Sequence, residues 1–122
     1  MKAQENDNVV LVKSKSFALL IIRMYRYLTD EKKEFVLSKQ VLRSGTSIGA
    51  NIKESVYAQS KADFYAKLYI ATKEAGETEY WLELLHESGF IDDNAFQKLN
   101  EQCSELIKLL VSITKTQKDS KN

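Results

Sequence analysis

The sequence has no proline and only four glycines in 122 residues. These two residues most often stop helices and reverse the chain, so their scarcity leaves few turns and favours a small number of long helices. Cysteine is almost absent too. Cys103 has no partner for an internal disulfide, and nothing calls for an oxidising compartment. Long apolar runs are also missing: the longest, Phe17 to Ile22 ("FALLII"), falls far short of the roughly 20 residues that span a bilayer. The first residues, "MKAQENDNVVLV", lack the apolar stretch of a signal peptide. The expectation is a soluble, cytoplasmic chain with no membrane partner.

What is present is a globular balance, 43% hydrophobic and 29% charged, which argues against disorder or a fibre. The length suits one domain, residues 1–122, with a core over about 9–116 and polar termini. Net charge is +1, but it is unevenly spread. Residues 1–53 hold ten basic and five acidic groups, 54–107 hold four and eleven, and 108–122 hold four and one. A basic first half and an acidic third quarter suit nucleic acid, or complementary packing between subunits.

Apolar and small residues recur in steps of three and four at Val10, Ser14, Phe17, Ile21, Met24 and Leu28, predicting a helix over about 9–29. Ser38, bracketed by Leu37 and Leu42, reads as the N-cap of a second helix carrying Val41, Ile48, Ile52 and Val56 and ending near Gln59. Ser60 and Asp63 form a capping-box variant that opens a third helix. Its stripe is Phe64, Leu68, Ala71, Ala75, Thr78, Leu82 and Leu85, and Gly89 supplies the stop. Asp92 or Asp93 caps a fourth helix with Phe96, Leu99, Cys103, Leu106, Leu110 and Ile113, and the polar tail from Lys115 is expected to fray. Four such helices on short connections predict an all-α, antiparallel up-and-down four-helix bundle.

The stretch "RSGTSIGANI", Arg43 to Ile52, looks like a phosphate loop but lacks the preceding strand and the following lysine. Read instead as helix interior, it places Gly45 and Gly49 on one side. Each interior glycine costs roughly 1 kcal/mol relative to alanine, so close approach of a neighbour must offset it. Trp81, or a tyrosine of the third helix, is the expected bulky partner. If the second and third helices approach there, Arg43 and Asn51 meet Glu74 and Glu77 in a polar network that fixes register.

Other chemistry is thin. Glu83 and His86 have the spacing of a di-metal bundle site, but that site needs two such pairs and the chain has one histidine, so no metal or cofactor is expected. Cys103 occupies a stripe position, where a small buried hydrophobe is expected rather than a nucleophile. With no nucleophile and base to pair, no catalytic residue is assigned, and the chain is not expected to be an enzyme.

Apolar residues exceed what one bundle can bury. Leu19, Leu20 and Ile22 lie partly off the first helix's stripe, and Tyr65, Tyr69, Tyr80 and Trp81 stand beside that of the third. Each large side chain left in water forgoes roughly 1.5–3 kcal/mol, so self-association through these flanks is expected. Lys13, Lys15, Arg23, Arg26, Lys39 and Arg43 are candidate phosphate contacts of the basic first half; few aromatics accompany them, so base-specific reading is not indicated.

The segments "LSKQVLRSGTSIGANIKES" (Leu37 to Ser55) and "YAKLYIATKEAGETEYWLELL" (Tyr65 to Leu85) resemble the bacterial four-helix-bundle family first noticed as products of intervening sequences inside large-subunit ribosomal RNA genes. The resemblance runs from about Phe17 to Ile113. The family also includes the accessory variability determinant of diversity-generating retroelements, a ring of five subunits that binds nucleic acid and a reverse transcriptase. It implies a pentameric ring with a central channel, acting as a non-catalytic scaffold for a protein or nucleic-acid partner. The alternative it leaves open is a nucleic-acid-binding protein acting through the basic surface of the first two helices. Two departures stand out: Gly49 replaces the proline of many relatives, and the retroelement protein is strongly basic where this chain is near neutral. The family's "ribosomal protein" label reflects gene position.

Overall fold

A computed structural model of the chain describes residues 5–120, with side chains over 9–115. It holds four helices, α1 (Glu5–Asp30), α2 (Leu37–Ser55), α3 (Lys61–Glu87) and α4 (Asp93–Ser120), and no strand among the described residues. Each helix packs on two neighbours in the cycle α1, α2, α3, α4, and the diagonal pairs make no close backbone approach. The connections hold only a few residues each, so consecutive helices run antiparallel. The most extensive interface is α2 on α3, and the sparsest is α1 on α4.

The core is the convergence of the four stripes. Val10, Ser14, Phe17, Ile21, Met24 and Leu28 of α1 are all buried, as are all seven expected positions of α3. In α2 the stripe is Val41, Ile48 and Ile52. Val56 lies beyond the helix and is only half-buried, as are Phe96 and Ile113 at the two ends of the α4 stripe. No helix among the described residues is long and apolar enough to cross a membrane.

The helix ends differ most from expectation. Ser38 does not cap α2: the helix begins one residue earlier, at Leu37, and Ser38 is buried with its hydroxyl donating to the Glu34 carbonyl at 2.8 Å. The cap is the Glu34 carboxylate, which accepts from the backbone amides of Val36, Leu37 and Ser38 at 3.2, 3.0 and 2.7 Å. A longer side chain reaching from the loop thus does what a serine at the boundary was expected to do. The first α2 turn then packs inward, and the helix ends at Ser55 rather than near Gln59. Ser60 does cap α3, accepting from the Asp63 amide at 3.0 Å, while the Asp63 carboxylate accepts from the Gln59 amide at 3.3 Å.

Gly89, at φ 86°, closes α3 with its own amide on the His86 carbonyl and the Phe90 amide on that of Leu85. Asp92 caps α4 by accepting from the Ala95 amide at 2.8 Å. The polar tail continues α4 as far as Ser120 instead of fraying from Lys115, consistent with a stretch that has neither glycine nor proline.

Candidate functional site

The α2–α3 seam carries the densest polar chemistry. On α3, Glu74, Glu77 and Trp81 are spaced by three and four and so share one face. Opposite them on α2, Arg43 places Nη1 3.3 Å from Glu74 Oε1 and Nη2 on Glu77 Oε1. Glu77 Oε1 also accepts from the Trp81 indole N–H at 3.1 Å. One carboxylate oxygen therefore ties the guanidinium to the only indole in the chain. The hydrogen bond to Glu77 is the leading reason the Arg43 guanidinium is raised above its ordinary value, and the bonds from Arg43 and then Trp81 hold the Glu77 carboxyl below its own.

Beneath the surface pair, the buried Thr78 hydroxyl lies 2.9 Å from the Ser44 hydroxyl across the same interface. Asn51, expected in this network, does not join it: its amide donates to the Ser47 carbonyl of its own helix at 2.9 Å.

The glycines serve a different seam. A Cβ on Gly45 would lie 2.9 Å from Ile21 Cγ1, and one on Gly49 would lie 3.2 Å from the Ser14 hydroxyl, both on α1. Trp81 is not their partner. Ser44 and Gly45 are neighbours in sequence but lie about 100° apart around the helix, so one meets α3 and the other α1. Close approach at Gly45 lets the fully buried Ile21 seat against the α2 backbone. Outward of this contact, Leu11, Val12, Ala18, Thr46, Gly49 and Ala50 line an open groove of about 520 Å³, edged by Lys15 and Lys53.

The candidate phosphate contacts divide. Lys13 is neutralised by Glu105 of α4 at 3.0 Å, and Arg43 by the two glutamates. Lys15, Arg23, Arg26 and Lys39 are exposed, without a carboxylate partner among the described residues. Of the flank residues, Leu19 is 52% exposed and Tyr69 36%, whereas Leu20, Ile22 and Tyr65 are half-buried; Leu20 and Tyr65 pack against the core.

His86 donates its Nε2–H to the Asp93 carboxylate at 2.7 Å and stacks on Phe96 with ring centroids 4.2 Å apart, bridging the end of α3 to the start of α4. No group of three His, Cys, Asp or Glu side chains that could hold a metal occurs among the described residues. The buried Cys103 thiol donates to the Ala75 carbonyl at 3.3 Å, and burial, with a smaller contribution from Glu79, pushes it up to about 12. It therefore stays protonated at neutral pH.

These features, small residues on α2 and an arginine, glutamate and tryptophan seam against α3, run through the part of the chain that the model of the 23S rRNA-intervening sequence proteins matches, residues 6–112. The chain belongs to that family. A solved structure of a protein with unknown function from the S23 ribosomal protein family of Bacteroides thetaiotaomicron VPI-5482 is 56% identical, with a TM-score of 0.89 over 90% of this chain and 98% of that one. No curated protein matches.

Within this intervening-sequence bundle, sequence reasoning missed two features. Glu34 escaped notice as a cap because it lies outside the usual capping position. Tyr27 and Phe35 were passed over because they fall off the periodic stripes; both are exposed, on or beside the connection from α1 to α2.

Proposed function

We propose that this intervening-sequence protein is a non-catalytic scaffold that assembles with copies of itself and presents a surface to a protein or nucleic-acid partner. The observation that carries the reading is the open α1–α2 groove, apolar along its length and edged by Lys15 and Lys53. Val12, on its wall, is 66% exposed, and Leu19 farther along α1 is 52% exposed. The outward face of α3 offers the matching half: Tyr69, Ile70 and Tyr80 are exposed amid the acidic third quarter of the sequence.

A basic apolar groove on one copy and an acidic aromatic face on the next make a head-to-tail contact, which closes into a ring when the rotation between copies permits. The resemblance to the five-membered retroelement protein supports five copies. The test is mass in solution by sedimentation for the wild type and for Leu19→Glu and Val12→Glu. The wild type is expected as a discrete oligomer and the variants as folded monomers. A wild-type monomer at tens of micromolar would overturn the reading.

A further inference from the structure

We propose that Gly76, on the outward face of α3, is the notch in which Leu19 of a second copy of this chain seats. The inference rests on the self-assembly reading and names the residues that meet in it. A glycine inside a helix forgoes the propensity that alanine would supply. At Gly45 and Gly49 the close approach of α1 offsets that loss, since an added Cβ would lie 2.9 Å from Ile21 and 3.2 Å from Ser14. Nothing within the bundle offsets it at Gly76. This residue is exposed in the middle of α3, which runs on past it to Glu87, and a Cβ built there would meet nothing within 4 Å. Its neighbours make the position a notch. Tyr69 lies seven residues before it and Tyr80 four after, so all three fall within roughly 40° around the helix, with the tyrosines about 16 Å apart along its axis. Tyr80 is 54% exposed, Ile70 42% and Tyr69 36%, so large side chains stand in water on either side of a position that has none.

The outward face of α1 carries the complement. Val12 and Leu19 are seven residues apart, which sets them on one line about 10 Å apart along the axis, the same step that separates Tyr69 from Gly76. A shared seven-residue step is what lets the knobs of one helix enter the holes of another. Leu19 lies near the middle of α1 as Gly76 does of α3, so seating one on the other overlaps the two helices for most of their length. Charge favours this occupant. Between Val9 and Thr29, α1 has four cations and no acid, and of these Lys15, Arg23 and Arg26 are exposed with no carboxylate partner among the described residues. Between Tyr69 and Glu87, α3 has five glutamates against the single lysine Lys73. Glu74 and Glu77 hold Arg43, whereas Glu83 and Glu87 are exposed with no cation partner among the described residues.

The experiment is sedimentation equilibrium of the full chain from about 1 to 100 µM, with thermal melting at the lowest concentration. The samples are the wild type, Gly76→Ala, Gly76→Leu, Leu19→Ala, and Leu19→Ala combined with Gly76→Leu. Filling the notch is expected to weaken association roughly 5- to 100-fold in Gly76→Ala, the range that overpacking by a methyl produces, and to abolish it in Gly76→Leu. Both variants are expected to melt about 2–8 °C above the wild type at the lowest concentration, because alanine and leucine favour the helix over glycine. Folding that improves while assembly is lost marks a contact glycine, since a misfolded variant would lose both. Leu19→Ala alone is expected to weaken association. In the double variant the leucine on α3 fills the space that the alanine leaves on α1, and assembly is expected to return. A Gly76→Leu variant that assembles as tightly as the wild type, or a double variant no tighter than Gly76→Leu alone, would overturn this proposal and leave self-assembly standing. A wild-type monomer across the whole range would overturn both.

Discussion

At the scale of single residues, the connection between α1 and α2 concentrates unusual chemistry in few positions. Lys33 holds φ 53°, a region where a side chain costs roughly 1 kcal/mol and glycine costs little. Lys33→Gly is therefore expected to raise stability in urea by up to ~1 kcal/mol, less whatever extra freedom glycine gives the unfolded chain. An unchanged or lower midpoint would mean the strain is relieved some other way. Glu34, next in the chain, feels two opposed influences. Its partial burial disfavours the charge and is the largest single effect, but the amides of Leu37, Ser38 and Val36 and the Ser38 hydroxyl together hold the carboxyl below its ordinary value. Glu77 is held low as well, by Arg43 and then Trp81. A group whose folded value lies below its unfolded one contributes stability above the unfolded value and loses it as pH falls through the folded one. The thermal midpoint is accordingly expected to hold from neutrality to about pH 5 and then fall with acid. Glu34→Gln should be less stable by ~1 kcal/mol at pH 7, the usual worth of a cap, with the gap narrowing by pH 3. Parallel acid limbs for wild type and variant would sink that account.

At the scale of elements, glycines sort by what faces them. Gly45 and Gly49 face α1 at close range, whereas a Cβ on Gly76, exposed in the middle of α3, would meet nothing within 4 Å. Gly76→Ala is expected to stabilise by ~1 kcal/mol, the helix-propensity difference alone. Gly45→Ala gains the same propensity but drives a methyl to 2.9 Å from Ile21, whose side chain is fully buried, and overpacking of this kind costs about 1–3 kcal/mol. It should be neutral to destabilising, and the loss should disappear in an Ile21→Ala background, which lacks both γ-carbons the methyl would meet, in a double-mutant cycle. Equal stabilisation at both sites would dismiss the close-approach explanation. The same comparison shows what a sequence discloses. Periodicity reported which residues of each helix turn inward, and the α3 stripe was readable in full, because burial depends on a face. It did not report which neighbour each inward residue meets. Gly45 was matched to Trp81 because both are unusual; the partner is Ile21, an ordinary core residue that nothing local marks out. Arg43, Glu74 and Glu77 were legible as a group because opposite charges on facing helices need only the right spacing, while Asn51 found an acceptor on its own helix first.

At the scale of the whole molecule, the bundle is closed on its inside and unfinished on its outside. The four stripes satisfy each other, yet Val12 and Leu19 on α1 and Ile70 and Tyr80 on α3 stay largely in water, and the basic and acidic halves of the chain lie on different helices. Self-association of the kind proposed would bury those residues and pair those charges. If association and folding are linked, the folded state is favoured by its own concentration, as by any ligand that binds only the native form. The thermal midpoint is therefore expected to rise as protein concentration increases from about 1 to 100 µM, and to rise less in high salt, where the contribution of the complementary charges is screened. Leu19→Glu leaves the core untouched, because the side chain is already half in solvent, and should remove the concentration dependence while the midpoint at the lowest concentration stays near that of the wild type. A wild-type midpoint that does not move with concentration, together with an identical one for Leu19→Glu, would show that the exposed flanks contribute nothing to stability through self-contact.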